Sequence, residues 1–275
     1  MAESSRSADA PVTRAVDLAR RSLSIEPAGL LTDFDGTVSA IVADPMRATL
    51  VDGASSALAA LSERLAVVAI VTGRAPADAR SMAGVPGIVI AGNHGTEWLE
   101  PGSDEPTAPP GASSLRPALD AILARVPALD GVVVEHKGST ASVHFRNAPD
   151  PAEAERRILR SIGDVEEHGF HIGRGRMIVE IRATGLGDKG SAVRAIAARH
   201  RLRGMVVMGD DITDLDMFRA AAELRDAGAV RATIIGVAGA HGEAAPEVAA
   251  AADVVLSAPG EVAALLVELA SDEIG

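Results

Sequence analysis

Short aliphatic runs recur along the chain, separated by Ala-rich stretches whose apolar positions follow a helical period. The runs Gly29–Asp33, Ala66–Val71, Ile88–Ala91, Met205–Met208, Ala232–Val237 and Val254–Leu256 each close near Gly, Asp or Thr. A short, almost uninterrupted apolar run bounded by turn formers is the pattern of a strand buried on both faces. Ser55–Arg64, Pro76–Met82, Lys189–His200, Thr213–Ala222, Pro246–Ala252 and Gly260–Ala270 read as helices. Strands alternating with helices predict an α/β fold with a Rossmann-like parallel sheet covered on both faces. Ligands of such sheets bind at the carboxyl ends of the strands, so the residues that close each run carry the most information.

The middle of the chain breaks this rhythm. Pro101–Ser114 is rich in Pro, Gly, Ser and acids and reads as a linker. After it come a helix (Leu115–Val126), two alternating runs (Val132–Lys137 and Ser139–Arg146), a second helix (Pro151–Ile162) and a third run (Met177–Arg182). Adjacent alternating strands predict an antiparallel sheet with one solvated face. The expected organisation is an N-terminal extension over 1–26, a split core domain over 27–104 and 184–275, and an inserted α+β cap over 105–183. No internal repeat is visible, and Glu166–Glu167 and Arg199–Arg203 read as solvated faces.

Composition narrows the function classes. Of 275 residues, 47% are hydrophobic and 23% charged, enough to bury a sizeable core. Aromatics are 2% and the net charge is -12, which disfavours both base-stacking platforms and phosphodiester backbones. Cys is absent, so any metal must be held by oxygen or imidazole. Met1–Ser24 is polar and mixed in charge, and the longest aliphatic run, Leu65–Val71, falls far short of the ~20 residues of a membrane span. Neither Asn93 nor Asn147 begins a glycosylation sequon. The expectation is a soluble, cytoplasmic monomer with no nucleic-acid or membrane partner.

Four strand ends carry chemistry. Thr32-Asp33-Phe34-Asp35-Gly36-Thr37 closes the first run, and strand alternation predicts Asp33 and Asp35 on one side. Two carboxylates that close call for a cation, and Mg²⁺ suits a partly hydrated carboxylate and phosphate site. One carboxylate can then attack phosphorus while the other protonates the leaving oxygen. Thr72-Gly73-Arg74 offers a hydroxyl at the second strand end, Asp188-Lys189-Gly190 opens a helix with a cation, and Gly209-Asp210-Asp211-Ile212-Thr213-Asp214 concentrates three acids in the six residues after a later strand. Taken singly, an acidic turn, a plain Gly turn, a solvated first-turn Lys and an acidic helix N-terminus are the ordinary readings of these segments.

Together and in this order, the four segments resemble the haloacid dehalogenase phosphotransferase superfamily. The resemblance implies Asp33 as a nucleophile forming an aspartyl-phosphate, Asp35 as acid and then base, and Thr72 and Lys189 holding the phosphoryl group. It also implies a Mg²⁺ ion held by Asp33, the Asp35 main-chain carbonyl and Asp210, with Asp214 in support. The transport ATPases of the superfamily lack a carboxylate at the position of Asp35, so its presence implies a phosphatase.

Further segments bear on the substrate. Asn93-His94-Gly95-Thr96-Glu97 follows the third strand, and the spacing of two puts Glu135 with Lys137, His144 with Arg146, and Glu180 with Arg182 on common faces of the inserted sheet. Charged fork-like groups on an open sheet suit a polyhydroxylated sugar, although cross-strand ion pairs on a solvated face are the ordinary reading. With these segments in register, the chain from about residue 28 to 265 resembles the trehalose-6-phosphate phosphatase family. That resemblance implies a sugar-phosphate substrate, with Glu135, Lys137 and Glu180 gripping the distal sugar. Gly73, Arg74, Asn93, His94 and Arg146 complete the expected substrate-binding set. Joining sugar grip to phosphoryl transfer implies cap closure, with hinges at about 100–110 and 183–188. Two residues depart from the family pattern: Leu215 replaces the usual Glu after Thr-Asp, and Ala183 replaces the usual Pro. A reshaped rim at Leu215 leaves another disaccharide, pseudo-disaccharide or glycosyl phosphate open as substrate. A catalytically silent sugar-phosphate binding module is the alternative of a different class.

Overall fold

The computed structural model describes residues 3–42, 44–109, 111–175, 177–239 and 244–272, with side chains from residue 10 onward. Its strands are β1 (Ala28–Thr32), β2 (Val67–Val71), β3 (Val89–Gly92), β4 (Glu97–Leu99), β5 (Val133–Lys137), β6 (Thr140–His144), β7 (Phe170–Gly175), β8 (Ile178–Ala183), β9 (Gly204–Gly209), β10 (Arg231–Val237) and β11 (Val254–Leu256). Its helices are α1 (Glu3–Leu23), α2 (Ala54–Arg64), α3 (Pro76–Ala83), α4 (Ala112–Leu123), α5 (Pro151–Ile162), α6 (Lys189–Arg199), α7 (Leu215–Asp226), α8 (Pro246–Ala251) and α9 (Pro259–Ser271). Two compact units result: Met1–Thr107 with Gly187–Gly275, and Ala108–Leu186.

The first unit is built on a sheet of order β11-β10-β9-β1-β2-β3-β4. Alternate residues of each strand enter separate cores. Leu30, Val68, Ile70, Val206, Met208 and Ile235 join α1, α2, α3 and α9 on one face. Leu31, Ala69, Val71, Met205, Val207 and Ile234 join α6, α7 and α8 on the other. Each fully buried Val, Leu or Ile contributes about 1.5–3 kcal/mol, so the double coverage explains why these strands read as continuous apolar runs. From β1 the chain steps outward to β2 and β3, then returns beside β1 as β9 and steps the other way. The switch point between β1 and β9 is where an open α/β sheet leaves a crevice.

Three features of this unit differ from the sequence reading. The sheet is not wholly parallel, because β4 folds back antiparallel on β3. The segment expected as an N-terminal extension contributes to the core of this unit: α1 buries Ala15, Val16, Ala19 and Ser22. Its apolar positions 12, 15, 16, 19 and 23 form a helical stripe that serves the first core. Leu215 does not reach a rim; at 8% exposure it packs in the second core with Phe218 and Val193.

The second unit is an antiparallel sheet of order β5-β6-β8-β7, carrying α4 and α5 on one face. Ala141, Val143, Val179, Ile181 and Phe170 bury against Leu119, Ile122, Ile158 and Ile162. Strand β7 was not anticipated, since its glycines and polar residues leave no clean alternation. Ala183, at the end of β8, is buried in this core. Among the described residues no helix is long and apolar enough to cross a membrane.

Candidate active site

Asp33 follows β1 directly, and its N–H still donates to the Met208 carbonyl of β9 at 2.9 Å, so the sheet itself sets its position. Asp210 follows β9 in the same way. Lys189 opens α6, whose start is fixed by a capping box: the Asp188 carboxylate accepts from Ser191 N, and the Ser191 hydroxyl oxygen accepts from Asp188 N. Asp214 sits in the turn that leads into α7. These four side chains converge. The Lys189 ammonium donates to Asp33 Oδ1 and Asp214 Oδ1, both at 2.6 Å, and is 4% exposed. Carboxylate oxygens of Asp33, Asp210 and Asp214 lie within 4.8 Å of one another.

The partners of each oxygen separate the roles. Asp214, fully buried, takes Lys189 on Oδ1 and the N–H groups of Asp210 and Asp211 on Oδ2, at 2.9 and 3.0 Å. Its lone pairs are occupied in shaping the loop. Asp33 Oδ2 and Asp210 Oδ2 take no protein donor among the described residues, whereas Asp210 Oδ1 accepts from Thr37 at 3.1 Å. Gly36 makes the close approach of this loop possible. Its φ is +85°, and a Cβ there would stand 2.1 Å from Asp210 Oδ2.

Three carboxylates share one ammonium. Burial pushes the Asp33 carboxyl well above its ordinary range, against the pull of Lys189, and Asp214 and Asp210 push it further. Burial, then the Asp214 charge, push Asp210 up to about 7. Burial alone would lower the Lys189 pKa, but Asp214 and Asp33 outweigh it, so the ammonium stays charged. A pair of free, hard oxygens facing a deficit of positive charge fits a divalent cation with oxygen ligands.

Asp35 lies past the end of β1 at Thr32, and its carboxylate is not among these grouped oxygens. Its carboxylate instead accepts both Arg74 Nε and Nη2 at 2.6 Å. The Arg74 guanidinium also lies 5.5 Å from the centre of the Phe34 ring. Thr72 is buried at the end of β2, and its Oγ1 accepts from Arg74 N at 3.2 Å. The next loop is tied to it: Asn93 N donates to Arg74 O and His94 N to Thr72 O, each at 2.8 Å. Asn93 and His94 both adopt left-handed backbone (φ 49° and 59°), and the His94 ring lies against Gly73, where a Cβ would come within 2.8 Å.

In the second unit the register aligns Glu135, Ser142, Glu180 and Gly173 in one row across all four strands. The row lies on the face opposite α4 and α5, because the intervening residues 141, 143, 179 and 181 fill the core. Glu135 Oε2 meets His144 Nε2 at 2.9 Å and Lys137 Nζ at 3.3 Å. The His144 bond, then the Lys137 charge, hold Glu135 below the usual carboxylate range despite partial burial. Arg182 donates to Glu180. Strand β6 ends at His144, Phe145 joins the core, and Arg146 lies exposed in the following turn. Thr37, which orients Asp210, was quoted in the motif without a role, and its place two residues after Asp35 was the available signal.

A model of the trehalose-phosphatase family matches residues 31–246. The chain belongs to that family. The match to the trehalose-phosphatase model takes in the ends of β1, β2 and β9 and all of the second unit. Among relatives, a trehalose-phosphate phosphatase of Mycobacterium avium is 38% identical over 203 residues, covering 68% of this chain and 50% of that protein. A Mycobacterium tuberculosis protein named as an uncharacterized glycosyl hydrolase is 36% identical over 264 residues, covering 92% of this chain. The chain spans about half the length of the first and 19% of the second. In fold it is similar to the C-terminal domain of Candida albicans trehalose-6-phosphate phosphatase, with a TM-score of 0.75 at 23% identity over 94% of this chain and 96% of that one.

Proposed function

We propose that this trehalose phosphatase family member is a Mg²⁺-dependent phosphoric monoester hydrolase that converts trehalose 6-phosphate to trehalose and phosphate. The observation that carries the reading is the Lys189 ammonium bridging Asp33 and Asp214 beside Asp210, at the switch point of the sheet. Asp33 Oδ2 and Asp210 Oδ2 are the oxygens that would hold the cation. When bound, that ion would lower the charge of the carboxylates and of an arriving phosphate dianion.

The chain's own residues then supply the steps. An Asp33 oxygen attacks phosphorus, the bond from phosphorus to the sugar oxygen breaks, and Asp35 gives the leaving oxygen its proton. Water then attacks the aspartyl-phosphate, Asp35 takes a proton back, and phosphate leaves. Lys189 and Thr72 hold the phosphoryl oxygens. Asp35 cannot give a proton while Arg74 grips it with both N–H groups, so Arg74 has to change partners. A phosphate dianion offers the same fork-matching oxygens, and its arrival would draw Arg74 across and release Asp35. Glu135, Lys137 and Glu180 of the second unit read sugar hydroxyls, accepting and donating in pairs. Both departures from the family pattern, Leu215 and Ala183, are buried in cores, which supports trehalose 6-phosphate over an altered glycosyl phosphate.

The test is phosphate release across a panel of disaccharide and monosaccharide phosphates, with Mg²⁺ and with chelator. Trehalose 6-phosphate should lead the panel, and Asp33→Asn should abolish turnover while circular dichroism stays unchanged. Turnover in Asp33→Asn within about tenfold of wild type, or full activity in chelator, would end the reading, since either group is expected to be worth several kcal/mol of barrier.

A further inference from the structure

In the first unit, α1 crosses the amino ends of the strands whose carboxyl ends carry Asp33 and Asp210. The register sets Arg231 of β10 level with Gly204, the first residue of β9. Six strand residues at ~3.3 Å each put about 20 Å between this end of the sheet and the other. Here α1, α7 and β10 surround a cavity of about 290 Å³ lined by Arg14, Arg21, Arg225 and Arg231, with Asp253 among them. The hydroxyls of Ser22 and Thr233, bonded to each other at 2.8 Å, also line it.

Asp253 does not neutralise this set. Its carboxylate accepts Arg225 Nη1 at 3.0–3.1 Å and Ile234 N at 2.8 Å, which fixes the turn before β11. Arg14 reaches only the Asp253 main-chain carbonyl, at 3.2 Å. Arg21 and Arg231 are exposed and form no ion pair among the described residues. Asp17, on the adjoining strip of α1, pairs with neither. Arg225 is the one guanidinium of the lining held by carboxylates, while Arg14, Arg21 and Arg231 meet none among the described residues. Four guanidiniums that converge on a concavity holding one carboxylate repel one another, and an anion inside it relieves that repulsion.

We propose that this cavity binds a small soluble anion bearing a polyphosphate or phosphate ester. Planar guanidinium forks match phosphate oxygens. The volume sits at the small end of the ~300–1,000 Å³ typical of ligand pockets, which favours a compact ligand. A net charge of -12 opposes a polyanionic surface such as a membrane or nucleic acid, whereas a small anion seated between arginines feels mainly their local field. Its occupancy would tie α1 to α7 and β10, so binding should raise the unfolding temperature.

The probe is inorganic tripolyphosphate, titrated calorimetrically and by thermal unfolding in chelator, so that no divalent ion bridges it to Asp33 and Asp210. Wild type should bind it and gain thermal stability. The double variant Arg21→Gln, Arg231→Gln should weaken binding by about tenfold or more, as expected for lost charge-assisted bonds, and lose the thermal gain. Without the anion, the variant should unfold at or above the wild-type temperature and hydrolyse substrate normally. No binding by wild type, or undiminished binding by the variant, would overturn the proposal. So would a variant that unfolds earlier without the anion, because the arginines would then serve the fold. Recruitment to anionic vesicles without tripolyphosphate binding would overturn the soluble ligand.

Discussion

Replacing Lys189 with Met removes the one ammonium that faces three carboxylates. Its Nζ is 2.6 Å from Asp33 Oδ1 and from Asp214 Oδ1, with side-chain exposures of 4%, 7% and 0% for the three residues. With the acids ionised, the wild-type cluster carries two net negative charges and the variant three. Removing one partner of a buried pair typically costs about 3–5 kcal/mol, and here a single substitution breaks two pairs. Proton uptake offsets part of that, because burial has already raised Asp33 and Asp210 well toward neutrality. A loss of about 3–4 kcal/mol at neutral pH is expected for the metal-free protein, a large part of the ~5–15 kcal/mol that holds a typical domain. The variant should be rescued disproportionately by Mg²⁺, whose two charges replace the lost one. The double variant Lys189→Met, Asp214→Asn should recover about half the loss, since a carboxylate leaves with the ammonium. Urea unfolding followed by circular dichroism, in chelator and in millimolar Mg²⁺, measures all three effects. Metal-free Lys189→Met within about 1 kcal/mol of wild type would refute the reasoning, as would a Mg²⁺ gain no larger than that of wild type.

Asp210, raised to about 7 by burial and by Asp214, binds an extra proton in the folded metal-free protein between that value and the ~3.9 of an unfolded Asp. Stability should therefore fall as pH rises from about 4 to about 7, with Asp210 contributing at most ~4 kcal/mol; because Asp33 is raised as well, the fall should shrink in Asp210→Asn and vanish with Mg²⁺ bound, and urea midpoints across that window check it. Arg74→Ala should raise KM for phosphate monoesters by about tenfold with a smaller effect on kcat, and an unchanged KM would leave Arg74 only as the anchor of Asp35. Glu135→Ala and Glu180→Ala should lose most of kcat/KM for trehalose 6-phosphate yet keep near-normal activity on a small aryl phosphate; equal losses on both substrates would assign them to the fold.

Much of the site was legible in local pattern. Apolar runs mark where strands end, so Asp33, Thr72 and Asp210 read as strand-end residues and Lys189 as the first residue of a helix. The period of two likewise placed Glu135 with Lys137 and Glu180 with Arg182, because each pair lies within one strand. Beyond the strand ends the period named no partners: Asp35, past the end of β1, pairs with Arg74, and Arg146, past the end of β6, lies exposed in a turn. Strand β4 is three residues long and runs antiparallel, too short to show a period. The segment that forms α1 read only as polar and mixed in charge, and nothing in it named β9, β10 and α9 as the surface it covers.

The sequence by itself determined the buried strand runs of the first unit and which chemistry stands at their ends. Only the tertiary structure decided the partners. Lys189 meets Asp33 across 156 residues, Arg74 meets Asp35 across 39, and the arginines of α1 meet Arg231 at the opposite end of the sheet. Burial is a property of one side chain and its neighbours a turn or a pleat away, so periodicity records it. An ion pair depends on strand order and on the backbone dihedrals of a few loop residues such as Gly36, and these are settled only when the whole sheet has assembled.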